Sequence, residues 1–362
     1  MDNVHMKSIN ISNKLKWREL LILNIDQSVY NMNKFDIPVV LLIFKRKDKM
    51  KRIMERIAEV EPTKIYIIAD GPRNENEKEI VEQCRKEVES LITWKCEVIK
   101  NYADENRGVY ENIGLGAKWV FEREETAIFL EDDNLPEVTF FRFCKELLEK
   151  YNEDTRILWI CGTNYLEKYD PLDGASYVFT KHLMPCGWAS WSHKFNNFYD
   201  GDLNLIDNLN LINRMKSQYD DKKLYTQQIK LAQNERKRIK NGQKPISWDY
   251  QMEFSIRANN LYGISPKYNQ IENIGVDNDS IHGGTDFSNV MTERFCSIKS
   301  FPLDFPLTHP VTVIPDKEYE KKVGKIILYP FKLRIRGKAA KALRKIFKLD
   351  PDQSISELLK LK

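Results

Sequence analysis

Three consecutive acids, Glu131, Asp132 and Asp133, directly follow the apolar residues 127–130. Adjacent carboxylates repel each other, and they stay ionised most readily beside a cation. A hard divalent cation such as Mn²⁺ or Mg²⁺ binds carboxylate oxygens and supplies that partner. The triplet therefore indicates a metal site at the end of a strand. The alternative is a solvated turn, in which residues 132–136 only separate a strand from a helix.

The segments around this triplet alternate between strand and helix patterns. Met50, Ile53, Met54 and Ile57 recur at helical spacing, and residues 75–91 and 116–121 also predict helices. Apolar runs predict strands at residues 37–44, 64–70, 96–101 and 127–131. This order predicts an α/β fold with a mixed, mainly parallel sheet and helices on both of its faces.

Polar residues follow each predicted strand at the point where it ends. In sheets of this kind, ligands bind outside the carboxyl ends of the strands. A mixture of basic groups and carboxylates at such an edge suits a phosphate-bearing ligand and its divalent cation. No GxGxxG or GxxxxGK[ST] loop is present, which argues against dinucleotide-binding and P-loop mechanisms. The strand-end residues are Lys45, Arg46, Asp70, Gly71, Asp104, Asn106, Arg107, Gly108, Asp132 and Asp133.

Composition limits the class of protein. A chain of 362 residues with 42% hydrophobic content can bury a large core, in one α/β domain or in two fused halves. The six cysteines are scattered and form no CxxC pair, so neither a zinc site nor a disulfide framework is expected, and a reducing cytosol fits. No apolar run is long enough to span a bilayer. We expect a cytoplasmic protein, soluble or peripheral to the membrane.

Several motifs in one order carry a family resemblance: IPVVLLIFKR, IYIIADGPR, NRGVYENIGLGAKWVF, AIFLEDDNLPEVTFF, LWICGTNY, CGWASW and SWDYQ. Together they resemble bacterial glycosyltransferases of the GT-A fold. Within that fold they are similar to the branch related to N-acetylglucosaminyltransferase I, in which EDD replaces the usual DxD, and to family 2-like nucleotide-diphospho-sugar transferases. The resemblance covers roughly residues 37–284.

The resemblance implies a metal-dependent hexosyl- or N-acetylhexosaminyltransferase. Its donor would be a nucleotide-diphosphate sugar, first of all a UDP-sugar, and its acceptor a glycan hydroxyl in surface polysaccharide or glycoconjugate synthesis. Two alternatives stay open, a sugar-phosphate nucleotidyltransferase and a non-catalytic glycan- or polyanion-binding module. The implied organisation is an N-terminal extension (1–35), a nucleotide-sugar-binding half (36–135), an acceptor-binding half (136–312) and a basic C-terminal region (313–362).

The resemblance also implies roles for individual residues. Asp133 would bind Mn²⁺ or Mg²⁺, and the lone histidine His282 would complete the metal or diphosphate site. Asp70 would accept a hydrogen bond from a base imide such as that of uracil, and Asp132 would face the ribose or the donor sugar. The full set implied for nucleotide-sugar binding is Phe44, Arg46, Asp70, Gly71, Arg107 and Asp132.

Asp249 in PISWDYQMEF is the candidate catalytic base. Pro245 ends a polar stretch and Ser247 is a plausible N-cap, which places Asp249 in the first turn of a helix. The helix dipole there keeps a carboxylate ionised. Such a base fits an inverting single displacement, in which one carboxylate takes the proton of the attacking hydroxyl. Glu253 is the reserve candidate, and a simple helix-start role for Asp249 is the alternative.

The segment 184–195, MPCGWASWSHKF, shows no period and predicts a loop. Trp188 and Trp191 offer flat faces to a sugar ring, and Gly187 allows a close approach. The resemblance places this segment beside the donor sugar and the acceptor entrance. Core packing of the two indole rings is the alternative, because tryptophan is mostly buried in proteins.

Two further segments lie between or beyond these motifs. Residues 203–244 are highly charged with partly helical spacing and predict a helical insertion. Residues 321–348 carry eleven Lys or Arg and no acid, interleaved with apolar residues. Such a segment can bind an anionic membrane surface, which would suit a lipid-linked acceptor; the alternatives are a packed amphipathic end and a nucleic-acid contact, the latter disfavoured.

Overall fold

A computed structural model describes residues 35–276, 290–296, 298–335 and 339. The first half alternates strictly between strands and helices, as predicted. A 3₁₀ turn (Glu75–Glu77) precedes α2, and a π-helical turn (Tyr110–Leu115) precedes α3. The elements are β1 (Val39–Ile43), α1 (Lys47–Ala58), β2 (Lys64–Ala69), α2 (Lys78–Ser90), β3 (Glu97–Tyr102), α3 (Gly116–Phe121) and β4 (Thr126–Glu131).

The second half mixes strands of both directions with longer helices. Its elements are β5 (Asn134–Pro136), α4 (Val138–Lys150), β6 (Ile157–Cys161), β7 (Tyr177–Thr180), β8 (Trp188–Trp191), α5 (Ser192–Phe198), α6 (Leu209–Met215), α7 (Lys222–Lys240), α8 (Asp249–Ala258), β9 (Tyr262–Pro266), β10 (Ile271–Asn273), α9 (Val290–Phe295) and α10 (Lys317–Ile327).

Eight strands form one sheet in the order β3-β2-β1-β4-β8-β6-β9-β7. The pairs β3-β2, β2-β1, β1-β4 and β6-β9 are parallel, whereas β8 and β7 pair antiparallel to their neighbours. A small antiparallel ribbon joins β5 to β10. The prediction of a mixed, mainly parallel sheet is confirmed.

The core lies on both faces of this sheet. All five residues of β1 are buried, and they alternate between the two faces because successive side chains of a strand point in opposite directions. Leu41 packs in a cluster with residues of α1, α2 and α4, whereas Leu42 packs in a second cluster with residues of α3, α8 and α10. Met50, Ile53, Met54 and Ile57 are the buried face of α1, as their spacing predicted.

The predicted insertion 203–244 is helical. It contains α6, α7 and two 3₁₀ turns, Asn204–Asp207 and Lys216–Gln218. A third apolar cluster, which includes Leu203, Ile212, Ile229 and Phe254, fastens it to α8. The insertion therefore packs beside the helix that begins at Asp249.

The structure bears on three further predictions: the loop 184–195, the N-terminal extension and membrane-spanning helices. The segment 184–195 was expected to be a loop, but it forms β8 and α5. The extension 1–35 lies outside the described residues except for Phe35, which forms a β-bridge with Pro62. No helix among the described residues combines the length and apolar character needed to cross a bilayer. The boundaries between the proposed halves stay a prediction.

Candidate functional site

A cleft of about 1370 Å³ opens at the carboxyl ends of β1, β2 and β4. This is the edge at which sheets of this type bind ligands. Residues of the insertion helix α7 and residues that follow α10 also line the cleft. Six of the predicted site residues line the cleft: Phe44, Arg46, Asp70, Asp132, Asp133 and Asp249.

Asp132 and Asp133 share one guanidinium group. Arg46 Nη1 lies 2.9 Å from Asp132 Oδ1 and 2.7 Å from Asp133 Oδ2. Asp132 Oδ2 also accepts a hydrogen bond from the Phe44 backbone N–H at 3.1 Å. Arg46 thus supplies a cation within the protein itself that offsets part of the repulsion in the acidic triplet, and the expected metal stays a prediction.

Asn134 fixes the turn that carries these acids. Its side-chain oxygen accepts hydrogen bonds from the backbone N–H groups of Glu131 and Gly187, at 3.3 and 2.8 Å. Its amide nitrogen donates to Asp133 Oδ1 at 2.7 Å. Asn134 itself is 1% exposed and begins β5. The turn is therefore held from within the sheet.

The acidic edge is electrostatically strained. Burial raises the pKa of Asp132 to about 6, with Asp133 adding to the rise and Arg46 opposing it. Burial, Asp133, Asp132 and then Asp249 raise the pKa of Glu131 well above its usual range. The effect on Glu131 shows that Asp249, although 116 positions or more away along the chain from the triplet, is close enough to act on it electrostatically.

Asp249 lies in the first turn of α8, as predicted. Its Oδ1 accepts a hydrogen bond from Ser247 Oγ at 2.5 Å, and Ser247 Oγ in turn accepts one from the Tyr250 N–H at 2.9 Å. Ser247 therefore satisfies a free amide of the helix start and orients the carboxylate. Glu253, one turn later, is less suited to proton transfer because its oxygens already accept from Arg257 Nε and the Leu183 N–H.

The donor set fits a divalent cation only in part. No group of three or more His, Cys, Asp or Glu within the described ranges could hold a metal. Mg²⁺ and Mn²⁺ sites, however, often use one or two carboxylates with phosphate oxygens of the substrate completing the shell. Asp133 and Asp132 match that arrangement, with Arg46 competing for the same oxygens. His282, the other expected ligand, lies outside the described residues.

Asp70 does not have the role expected for it. Its Oδ1 accepts from the N–H groups of Gly71 and Arg107, and its Oδ2 accepts from Asn106 Nδ2 and the Gly108 N–H, all within 3.1 Å. A carboxylate has about four acceptor positions. Asp70 therefore organises the loop 106–108 and has no acceptor position left for a base.

Gly71 and Arg107 lie in the two loops that meet at Asp70, and neither residue lines the cleft. A Cβ at Gly71 would lie 2.4 Å from the Glu105 backbone, so the glycine permits the two loops to touch. The Arg107 guanidinium donates to Asn101 Oδ1 at 2.9 Å. Because Arg107 does not line the cleft, its diphosphate contact stays a prediction without support from the cleft.

Trp188 and Trp191 lie in the core, contrary to the expectation of a sugar platform. They are 1% and 0% exposed, because β8 is an internal strand with both faces covered. Trp188 stacks between Phe129 and Trp159, with ring centroids 3.8 and 4.1 Å apart. Gly187 lies against Ile271: a Cβ at position 187 would lie 2.5 Å from the Ile271 side chain.

The structure adds cleft residues that sequence reasoning did not assign. Trp248, the neighbour of Asp249, lines the cleft in place of the two predicted tryptophans. Glu131 lines it with no hydrogen-bond partner for its carboxylate among the described residues, and its position at the end of a strand was the available signal. Lys222, Lys223 and Lys230 of α7 also line the cleft.

Comparison with known proteins gives no family assignment. No family model matches the chain, and no curated protein matches it. Apo UDP-glucose pyrophosphorylase is 10% identical, with 66% of this chain and 93% of that chain covered and a TM-score of 0.35. UDP-glucose pyrophosphorylase complexed with UDP-glucose is also 10% identical, covering 66% and 92%, with a TM-score of 0.32.

A third structure, 4-diphosphocytidyl-2C-methyl-D-erythritol synthase from Anaerococcus prevotii DSM 20548, is 9% identical. The match covers 66% of this chain and 92% of that chain, with a TM-score of 0.32. Similarity this distant assigns neither a ligand nor a reaction to the chain.

Proposed function

We propose that the protein is a metal-dependent glycosyltransferase that moves a sugar from a nucleoside-diphosphate donor to a hydroxyl of a glycan acceptor. The observation that carries the proposal is the composition of one cleft. Arg46, Asp132 and Asp133 line it at the strand edge, and Asp249 lines it at the start of α8. A cation and anions for a diphosphate and its metal thus share a cleft with a separate carboxylate for proton transfer.

The chemistry divides between these two groups. The acceptor oxygen attacks the anomeric carbon, the bond from that carbon to the diphosphate oxygen breaks, and the electron pair leaves with the nucleoside diphosphate. Asp249 takes the hydroxyl proton, and attack from the face opposite the leaving group inverts the configuration. A bound Mn²⁺ or Mg²⁺ would neutralise the charge that grows on the leaving diphosphate.

Arg46 has a double role in this proposal. While it bridges Asp132 and Asp133 it compensates their charge, and its guanidinium is also suited to bind phosphate oxygens. A cation at Asp133 would free Arg46 to bind the donor. Phe44 adds an apolar wall beside it, with the Arg73 guanidinium 5.3 Å from the ring centroid.

A nucleotidyltransferase would also use a metal and an α/β sheet, and product analysis separates the two. Residues 44–50 after β1 contain no glycine, so the glycine-rich basic loop expected of a nucleotidyltransferase is absent there. A glycosyltransferase releases a nucleoside diphosphate from a nucleotide sugar. Release of pyrophosphate from a nucleoside triphosphate and a sugar phosphate would favour the nucleotidyltransferase.

The test begins with a panel of nucleotide sugars and Mn²⁺ in a thermal-shift assay, since a ligand of the folded state raises its melting temperature. Donor hydrolysis is then followed with and without a chelator. Asp133→Ala should abolish the metal-dependent turnover. Asp249→Asn should bind the donor as the wild type does and lose turnover by a factor of roughly 10² to 10⁴.

Asp104→Asn is the matched control, because Asp104 is an exposed acid near the same edge. It should keep wild-type turnover. Turnover that responds neither to metal nor to Asp133→Ala would contradict the proposal. Donor or glycan binding without any turnover would favour a non-catalytic binding module.

A further inference from the structure

Part of the cleft wall is built from the chain that follows α10. This helix is anchored in the core: Tyr319 and Val323 are fully buried, and the Tyr319 hydroxyl lies 2.6 Å from Ser265 Oγ. Gln227 of α7 then fixes the exit of the helix, because its side chain bonds to the Ile327 carbonyl and to the Tyr329 N–H at 3.1 and 2.8 Å. The chain reaches the cleft from a defined position.

Beyond Tyr329 the apolar side chains are no longer covered. Phe331, Leu333 and Ile335 are 67%, 38% and 48% exposed, and all three line the mouth of the cleft. They alternate with Lys332 and Arg334, for which the described residues provide no carboxylate partner. We call residues 331–335 the mouth strip. Residues 331–335 are helical, so Phe331 and Ile335 lie one turn apart on the same side of the helix. Exposed large apolar groups that cluster in this way mark a surface that another molecule covers.

The charge around the mouth strip selects what can cover it. Residues 321–348 contain eleven basic residues and no acid, and six of the eleven follow residue 335. In a two-fold symmetric dimer, a second copy of the chain would bring the same positive charge to the contact and would be repelled. An anionic lipid surface offers both complements, hydrocarbon for Phe331, Leu333 and Ile335 and negative headgroups for the lysines and arginines.

We propose that the mouth strip docks the protein on an anionic lipid bilayer, so that the cleft opens at the level of the lipid headgroups. Given the function proposed above, on which this step rests, the acceptor is then a glycan linked to a lipid. The nucleotide sugar enters the acidic edge from the aqueous side. The lipid-linked acceptor enters past the mouth strip and the lysines of α7, which suit a phosphate between lipid and sugar.

The test uses the full chain and flotation with vesicles of phosphatidylcholine alone or mixed equally with phosphatidylglycerol. The wild type should bind the anionic vesicles, weakly or not at all the neutral ones, and less at high salt, where exposed charges are screened. Combining Phe331→Ser, Leu333→Ser and Ile335→Ser should weaken binding at least about tenfold, since each buried apolar side chain contributes to membrane affinity.

A matched control combines Leu172→Ser and Val311→Ser, which remove two side chains that are 102% and 92% exposed elsewhere on the surface. It should bind as the wild type does. Circular dichroism checks that both variants are folded. Equal binding by the mouth-strip variant, or no binding by the wild type, would overturn the proposal, and so would a wild-type dimer that the mouth-strip substitutions dissociate.

Docking and catalysis can fail separately. Asp133→Ala should float with anionic vesicles as the wild type does, because Asp133 follows β4 and is not part of the mouth strip. Donor turnover by the wild type without vesicles reports on the proposed function alone. Turnover without vesicle binding would contradict the docking surface and support the proposed enzyme function. Vesicle binding without turnover would support the docking surface and contradict the enzyme function.

Discussion

Asp70 and the pair Asp132–Asp133 follow parallel strands of the same sheet and look alike in the sequence. In the structure, however, their carboxylates have different hydrogen-bond and ion-pair partners. Asp70 follows β2 and accepts four hydrogen bonds from the loops around it. Asp132 and Asp133 follow β4 and share the Arg46 guanidinium, and each accepts one further hydrogen bond, from the Phe44 N–H and from Asn134 Nδ2. A carboxylate whose acceptor positions are filled by neighbouring loops is a structural group, whereas one paired with a side-chain cation can exchange that cation for a ligand.

The difference comes from what surrounds each strand end. Gly71 and Gly108 let two loops close on Asp70, and Gly108 adopts a left-handed φ of 85° that few other residues tolerate. After β4 the chain turns at once into β5, so few backbone N–H groups reach the acids. Asp249 resembles Asp132 and Asp133 more than Asp70, because Ser247 is the one hydrogen-bond partner of its carboxylate among the described residues.

Asp70→Ala should show the largest effect. It leaves three backbone N–H groups and the Asn106 amide without their acceptor in a half-buried loop, and we expect a loss of about 3–5 kcal/mol in the free energy of unfolding. Urea denaturation measures it. Asp104→Ala in the same region is the control and should cost less than about 0.5 kcal/mol. If Asp70→Ala and Asp104→Ala lose similar free energies of unfolding, the hydrogen bonds of Asp70 are not what stabilises this loop.

Arg46→Met should cost less, about 2–3 kcal/mol, because the carboxylates it abandons keep some contact with water. Without the guanidinium, the pKa of Asp132 should rise above its value of about 6. A carboxyl whose pKa is raised on folding binds its proton more tightly in the folded state, so lowering the pH stabilises that state.

The loss caused by Arg46→Met should therefore shrink between about pH 7 and about pH 5. Denaturation of wild type and variant at both pH values tests this. Arg46→Lys, which keeps the charge, should lose less than Arg46→Met at the higher pH. A loss independent of pH would show that Arg46 stabilises the edge by packing and not by charge.

Ser247→Ala should have the smallest effect, about 1 kcal/mol, because it removes the acceptor for one amide of α8 and the donor to Asp249. Ser217→Ala is the comparison, since the exposed Ser217 hydroxyl only donates to the Arg214 carbonyl. Chemical denaturation distinguishes the two. If Ser247→Ala leaves stability unchanged, the helix start does not depend on this cap.

The sequence by itself determined the alternation of strands and helices, the buried face of α1 and the positions of the strand ends, because these follow from the periodicity of neighbouring residues. It also placed Asp249 in a first helical turn. These features need only local information, since apolar spacing decides which face of an element is buried.

Only the tertiary structure decided what each polar group does. The partners of Asp70 and Asp132 come from 37 and 86 positions away in the chain, at Arg107 and Arg46. Trp188 and Trp191 are in the core because β8 inserts between β4 and β6, an antiparallel pairing that no local pattern encodes. A side chain's role depends on which distant donors, rings or water reach it, and the fold alone sets those neighbours.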